Sequence, residues 1–420
     1  MKSKKILVWF RNDLRLHDNE MLVEAITKSE SILPVYFFDP RHFDAAQVAK
    51  AGFARAKFLV ESVVALRMAF QKMGGDILIV NGMPENHITD LVERFEIGEV
   101  YHHREVAPAE TQVSANVEDM LWKSQVNLRH FIGHTLYNKE DLPFPIKDIP
   151  DIFAQFKKKT ERDAIVKPCI ESPEHIDFVE VGDWGSIPTA ADLFLDKDLC
   201  DYTGMKNCAG GEEAGLKQLS SLLAQGSAIY LKPATKQSDR HGYNSQLSAW
   251  LSLGCLSPRK VFWAVKHAEE QFGSNPNFSH LTLGLLWRDY YRFMFKKHGA
   301  EYLAESVLRP ELDAQSDEDL MFENWKSGNT GHSLIDAHMR DLNQTGFLSH
   351  SARILVATFL VHVLKVNWMK GAVYFEEKLI DYTTASNWGN WSCIASGSRD
   401  LKTKHTFDVN KQLKVLESTL

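Results

Sequence analysis

The residues from Leu379 to Trp391 read Leu-Ile-Asp-Tyr-Thr-Thr-Ala-Ser-Asn-Trp-Gly-Asn-Trp. They gather a carboxylate (Asp381), small hydroxyl and amide side chains (Ser386, Asn387, Asn390) and two indoles (Trp388, Trp391). A planar redox cofactor needs all three kinds of group: a carboxylate and an amide to hydrogen-bond a polar ring edge, and indoles to stack or to carry charge. A tryptophan-rich core turn would use the same residues. Upstream, Tyr243-Asn-Ser-Gln-Leu-Ser248 sets hydroxyls and an amide before and at the start of a predicted helix, where free N–H groups and the helix dipole favour phosphate. The plainer use of Ser245 is as an N-cap. Arg288, in Trp287-Arg288-Asp289, can hold a phosphate bidentately or pair with a carboxylate. Arg353 can pair with Asp381, either beside a cofactor or as a buried salt bridge. The spacing shows no Ser/His/Asp or Cys/His arrangement and no metal-ligand cluster, so neither hydrolysis nor a metal site is expected.

The formal net charge is −7, so the chain as a whole does not attract nucleic acid, and any DNA contact would need a local basic patch. The five cysteines are scattered with no CxxC pair, which points to a reducing compartment. The amino-terminal apolar run is too short for a signal peptide, and no apolar stretch reaches the ~20 residues that span a bilayer. The expectation is a cytoplasmic protein without a membrane span.

The elements that must position these groups fall into two halves. Residues 1–132 alternate short apolar runs with helical patterns, which predicts an α/β domain with a doubly wound parallel sheet. Lys5–Phe10, Ile32–Phe38, Asp76–Asn81, Val100–His103 and Val126–Phe131 read as buried strands, and Phe53–Met73 as a helix stopped by Gly74-Gly75. No GxGxxG follows the first strand, so the usual Rossmann dinucleotide mode is not expected. Residues 133–205, broken by prolines, read as a surface connector with a helix near Ile152–Thr160. From 206 to 405 the pattern is helical: Gly215–Ala224, Ser245–Leu253, Pro258–Gln271, Leu283–His298, Leu334–Asn343, Ser351–Val363 and Ala372–Ile380. A tail follows over 406–420. Seven of the ten tryptophans lie between 250 and 391, which concentrates the indoles in this all-helical half.

With these motifs the chain resembles the photolyase/cryptochrome flavoproteins, and most of all the DASH cryptochromes. The similarity runs from Trp9-Phe-Arg-Asn-Asp-Leu-Arg-Leu-His-Asp-Asn19 through Leu142-Pro-Phe-Pro, Ala249-Trp-Leu-Ser-Leu-Gly-Cys-Leu-Ser-Pro-Arg259, Leu285-Leu-Trp-Arg-Asp-Tyr-Tyr-Arg292, Trp325-Lys-Ser-Gly-Asn-Thr-Gly331 and Ile335-Asp-Ala-His-Met-Arg340 to Ala385-Ser-Asn-Trp-Gly-Asn-Trp391. It implies an α/β antenna domain, a connector and an all-α domain holding a folded FAD. By resemblance, Tyr230, Asn244, Ser245, Gln246, Leu247, Ser248 and Arg288 hold the FAD phosphates and adjoining groups. Arg353 and Asp381 line the isoalloxazine, and Asn387 faces its N5. Trp391 and Trp368 match the first two members of the family's electron relay, although Trp368 taken alone would also suit core packing. Glu110 is the candidate ligand of a methenyltetrahydrofolate antenna, beside Ala109 where the DASH pattern has a second acid; an exposed acidic side chain is the alternative.

Departures from the family pattern shape the functional expectation. The relay's surface tryptophan falls at Gln315, and Thr383 replaces an aspartate that would add an FAD contact. Dimer-repairing enzymes carry a Glu at the position of Gly284, an Asn at His350 and an aromatic at Cys393, which leaves Trp287 alone to stack on a flipped lesion. Losing three contacts of ~1–3 kcal/mol each costs several powers of ten. His350 resembles the histidine of (6-4) photolyases, but the second histidine of that pair falls at Ile354. These residues predict a blue-light-responsive, FAD-binding, DASH-like cryptochrome with weak or absent repair of cyclobutane dimers. The alternative is a photolyase acting on single-stranded DNA. No signalling partner is identified.

Overall fold

The fold is that of a computed structural model describing residues 5–43, 51–193, 208–224, 245–299 and 316–396. Five strands form one parallel sheet: β1 (Lys5–Phe10), β2 (Ser31–Phe38), β3 (Leu78–Asn81), β4 (Ile97–His103) and β5 (Asn127–Phe131), in the order β3-β2-β1-β4-β5. The order reverses beside β1, as in other doubly wound sheets. In β1, Ile6 to Phe10 are all buried, because α1 (Glu20–Lys28), α2 (Phe53–Lys72), α3 (Pro84–Phe95) and α4 (Pro108–Lys123) supply apolar cover. The expectation of five buried strands fails at β5. It is an edge strand with Asn127 and Arg129 exposed, as an edge that must resist further pairing tends to be.

The connector carries α5 (Phe153–Asp163) and runs back along the sheet, where Ile32 donates to Asp177 O and Ile79 to Trp184 O. The helical half contains α6 (Glu212–Ala224), α7 (Ser248–Ser252), α8 (Pro258–Phe272), α9 (Pro276–His298), α10 (Ser316–Ser327), α11 (Ser333–Thr345), α12 (His350–Thr358), α13 (Trp368–Lys378) and α14 (Thr384–Ser396). A π-helical turn, Phe359–Val363, extends α12 and absorbs the carboxy-terminal part of the helix expected over Ser351–Val363. The helix expected over Ser245–Leu253 begins only at Ser248, because Gln246 takes a left-handed backbone conformation (φ 55°).

The two halves meet across a polar seam. Gly254 has φ 65°, and a Cβ there would lie 2.0 Å from Asn12 O, so only glycine permits this backbone contact. Buried Arg15 donates to carbonyls of His17, Asp18, Gly133 and Gly254, and Arg259 pairs with Asp18 at 2.6 Å. Arg292 on α9 donates to Glu105 at the end of β4, 2.9 Å away. Asp289, on the same helix, accepts from the amides of Leu136 and Tyr137 through one carboxyl oxygen, while the other is buried without a partner.

Burial raises the Asp289 pKa to about 7, against the opposing effects of Arg288 and the two amide donors. An acid with a raised folded-state pKa binds protons more tightly in the folded than in the unfolded chain. Its contribution is full below the unfolded value near 3.8 and is lost as the pH climbs through about 7. The Asp289→Asn protein is therefore expected to lose less stability than the parent between pH 5 and pH 8, each tenfold change in proton affinity corresponding to ~1.4 kcal/mol. Urea midpoints at the two pH values measure this, and parallel profiles for the two proteins would refute it.

Candidate cofactor cleft

The cleft forms where the ends of α12, α13 and α14 converge. Ser349 caps α12 by accepting from Ala352 N, which sets Arg353 one turn inside the helix. After α13, Ile380 N donates to Gly346 O at 2.8 Å and draws the loop that follows α13 to the loop that precedes α12. That backbone bond brings Asp381 to Arg353, whose Nη2 donates to both carboxylate oxygens at 3.0 and 2.8 Å. Arg353 Nε donates to Leu348 O, and its guanidinium lies over the Phe347 ring. Asp381 is nearly fully buried, so the charge it carries is oriented by the arginine rather than by solvent.

One face of α14 completes the lining, with Asn387, Asn390, Trp391 and Ile394 at helical spacing after Thr383. Asn387 donates through its backbone to Thr383 O and through its side chain to Ala372 O, which fixes the amide plane. Trp391 is seated by Gly371, where a Cβ would lie 2.3 Å from the indole. Open space lies between these groups and the apolar Ile354, Ala357 and Leu379. One guanidinium, one carboxylate, two amides, an imidazole, three hydroxyls and an indole, interspersed with apolar side chains, suit a ring system with a polar rim, which is what FAD would present here.

The structure brings Arg353, Asp381, Asn387, Trp391 and the rim residue His350 together. It does not bring Arg288 to them. That guanidinium donates to His134 O and to Leu251 O at the seam between the halves. The segment Ser245–Ser248 also lies outside this lining. Ser245 is not the N-cap of α7, a place taken by Leu247; Ser245 accepts from Leu247 N instead, and Leu247 is buried in the core. Tyr230, Asn244 and Gln315 lie outside the described residues.

Trp287, expected to be open to a lesion, has Phe153 stacked on it with 3.5 Å between ring centroids and 10° between planes, so that face is covered. Gly284 is exposed on α9 with open space where a side chain would go, and Cys393 packs beside the Tyr291 hydroxyl. Glu110 is half-buried rather than an exposed acid. Its carboxylate accepts from Ala107 N and from Thr384 Oγ1 across the domain seam. Burial and the nearby Glu105 raise its pKa to about 7.

The two relay candidates belong to one buried cluster. Trp391 contacts Phe375 and Trp325, whereas the ring partner of Trp368 is Trp388 (5.7 Å, edge-on). Sequence reasoning missed Arg55, whose guanidinium lies 4.7 Å from the centre of the Tyr382 ring at the cleft wall and whose Nη1 is buried without a partner. Burial lowers its pKa, against the pull of Tyr382, Glu376 and Asp381. Arg55 sits on the first long helix of the other half, so no local pattern marked it.

Comparison with known proteins agrees with this geometry. The DNA photolyase family profile matches residues 6–174, and that of the FAD binding domain of DNA photolyase matches residues 281–419. Cryptochrome DASH of Gloeobacter violaceus is 40% identical over 99% of this chain and 83% of its own length. The crystal structure of a Synechocystis sp. cryptochrome covers the whole chain and 87% of its own with a TM-score of 0.89 at 36% identity. A class III photolyase from Agrobacterium tumefaciens covers the whole chain and 85% of its own with a TM-score of 0.80 at 25% identity. The chain belongs to the photolyase/cryptochrome family of flavoproteins and is a DASH-like cryptochrome. FAD is the cofactor of its helical domain. Among the described residues, no helix is long and apolar enough to cross a membrane.

Proposed function

We propose that this protein is a blue-light-driven flavin redox protein, acting as a sensor or electron carrier, with weak or absent repair of cyclobutane dimers. One observation carries the proposal: a fully furnished cleft around Arg353, Asp381, Asn387 and Trp391 stands beside a lesion position where Trp287 is stacked under Phe153 and Gly284 offers no acid. FAD, when bound, supplies blue-light absorption and a one-electron acceptor. The Arg353–Asp381 pair would orient the polar rim of the ring, Asn387 would hold the amide next to N5, and Trp391 would give up an electron. Neither histidine-pair chemistry nor dimer recognition has its full set of side chains, because Ile354 and Gly284 stand where reactive groups would be needed.

For the antenna, Glu110 is the candidate folate ligand, but its oxygens serve Ala107 and Thr384, and its neighbour is Ala109. We read light capture as resting on FAD alone. A near-ultraviolet band beyond those of flavin in the purified protein would overturn this.

The second reading, repair on single-stranded DNA, is favoured by the lower cost of flipping an unstacked base. Illumination of the reduced protein with a dimer-bearing single-stranded oligonucleotide separates the two, since appreciable light-dependent loss of dimers would refute the sensor reading. The Gly284→Glu, His350→Asn double variant is expected to raise repair by roughly 10- to 100-fold if each restored contact supplies ~1 kcal/mol or more. The open space at Gly284 accommodates the new side chain. No gain in turnover would count against the eroded-pocket argument.

A further inference from the structure

We propose that Trp325 and Tyr374 form a second branch of the electron relay, leaving Trp391 and ending on a tyrosine. The inference deepens the flavin photochemistry proposed above and rests on it. Trp325 is fully buried and meets Trp391 edge-on, with ring centroids 6.4 Å apart and planes at 74°. On its other side it meets Tyr374, 5.8 Å away at 63°. Its remaining ring neighbours, Phe322 and Phe375, lie nearly parallel to it at 6.0 and 6.1 Å. Phenyl rings are far harder to oxidise than indole or phenol, so among the described residues Trp391 and Tyr374 are the oxidisable rings that touch Trp325. The position of the relay's surface indole is Gln315.

The polar partners set the direction of transfer. Trp325 Nε1 donates to Val356 O at 3.0 Å, in the core. Val356 is fully buried, so that hydrogen bond offers the indole proton no way out to solvent, and an oxidised Trp325 keeps its positive charge and remains a strong oxidant. Tyr374 is different. Its hydroxyl donates to Asn343 Oδ1 at 2.5 Å and to Lys326 O at 3.3 Å, and Asn343 is half-buried at the surface of α11. A phenol that loses an electron can also lose its proton and become a neutral radical, which avoids holding a positive charge beneath Lys326 and Lys378, whose Nζ atoms lie 5.7 and 5.5 Å from its ring centre.

The steps balance as follows. With FAD bound, Trp391 would supply one electron to it under blue light. Trp325 returns one to Trp391, and Tyr374 returns one to Trp325. The phenolic proton passes to water, leaving a neutral tyrosyl radical, and an added thiol reductant later restores one electron and one proton to Tyr374.

The test is electron paramagnetic resonance of the FAD-loaded protein frozen after blue illumination, alongside the rate at which oxidised-flavin absorbance is lost. The parent is expected to give a tyrosyl signal. Tyr374→Phe removes it while the protein keeps its bound flavin, and Trp325→Phe removes it and slows photoreduction roughly tenfold, equivalent to ~1.4 kcal/mol in barrier. Trp368→Phe leaves the tyrosyl signal in place. A parent that photoreduces without a tyrosyl signal, or a signal that survives in Tyr374→Phe, overturns the branch alone. A parent that binds flavin but does not photoreduce overturns the branch together with the proposal beneath it. Asn343→Ala, which leaves the tyrosine in place, guards against a folding defect: it should retain a tyrosyl signal with altered hyperfine splitting, and an unaltered signal would place the radical on another tyrosine.

Discussion

The Asp381→Ala protein is expected to purify without flavin colour. In the parent, Asp381 is almost completely buried and takes both hydrogen bonds that Arg353 Nη2 donates. Removing the carboxylate leaves the guanidinium at the cleft without its paired counter-charge. Loss of one partner of a fully buried pair costs about 3–5 kcal/mol. Arg353 keeps 24% of its side-chain surface in solvent, which places the expected loss nearer ~2 kcal/mol. The fold should survive that loss, whereas the polarity that orients a cofactor rim would not. The ratio of flavin absorbance near 450 nm to protein absorbance, together with a urea midpoint, measures both effects (450 nm being roughly where oxidised flavin absorbs). Asp381→Asn keeps the shape and one acceptor oxygen and is expected to bind flavin weakly while unfolding close to the parent. Full flavin occupancy in Asp381→Ala would mean that the pair is a structural salt bridge and that the cleft has been misassigned.

Trp391→Phe is expected to slow flavin photoreduction by about 100-fold or more, the effect of an added ~3 kcal/mol in barrier. Trp391 lines the cleft and is the ring from which both routes outward begin, one toward Trp325 and one toward Trp368. Phenylalanine fills much of the same space against Phe375 and Gly371, so the protein should fold and bind flavin. What it removes is an oxidisable ring next to the cofactor. Bleaching of oxidised-flavin absorbance under steady blue light, with an excess of thiol, reads the rate directly. A variant that bleaches as fast as the parent would show that electrons reach the flavin by a path that bypasses the indole, and both branches would then be excluded together.

How much of this was legible beforehand depended on the distance in sequence over which each feature is encoded. The central strands were legible because runs such as Ile6–Phe10 are apolar at every position, and a strand buried on both faces has to be. The long helices over Phe53–Lys72 and Pro258–Phe272 were legible from their periodicity, since a helix repeats within four residues, whereas the helix expected over Leu283–His298 starts earlier, at Pro276 behind the Asn275 cap. The edge status of β5 was not legible, because exposure depends on the absence of a sixth partner rather than on the strand's own residues. The start of α7 was misplaced because a single left-handed residue, Gln246, delays it. The motif around Asp381, Asn387 and Trp391 could be recognised as able to serve a cofactor because its groups are close in sequence.

Local order therefore settled the two-domain α/β-then-helical plan, the family, and the short motif that supplies the acid, the amide and the indole of the cleft. Tertiary structure alone decided which groups meet. It joined Arg353 to Asp381 through a backbone bond between distant loops, and it turned Arg288 toward the His134 and Leu251 carbonyls. It laid Phe153 on Trp287 and set Trp325 against Trp391. The physical reason is that hydrophobic periodicity is a property of neighbours along the chain. A hydrogen-bond partner or a ring contact is instead the outcome of packing many helices at once, where competing side chains of similar chemistry are separated only by where the backbone places them.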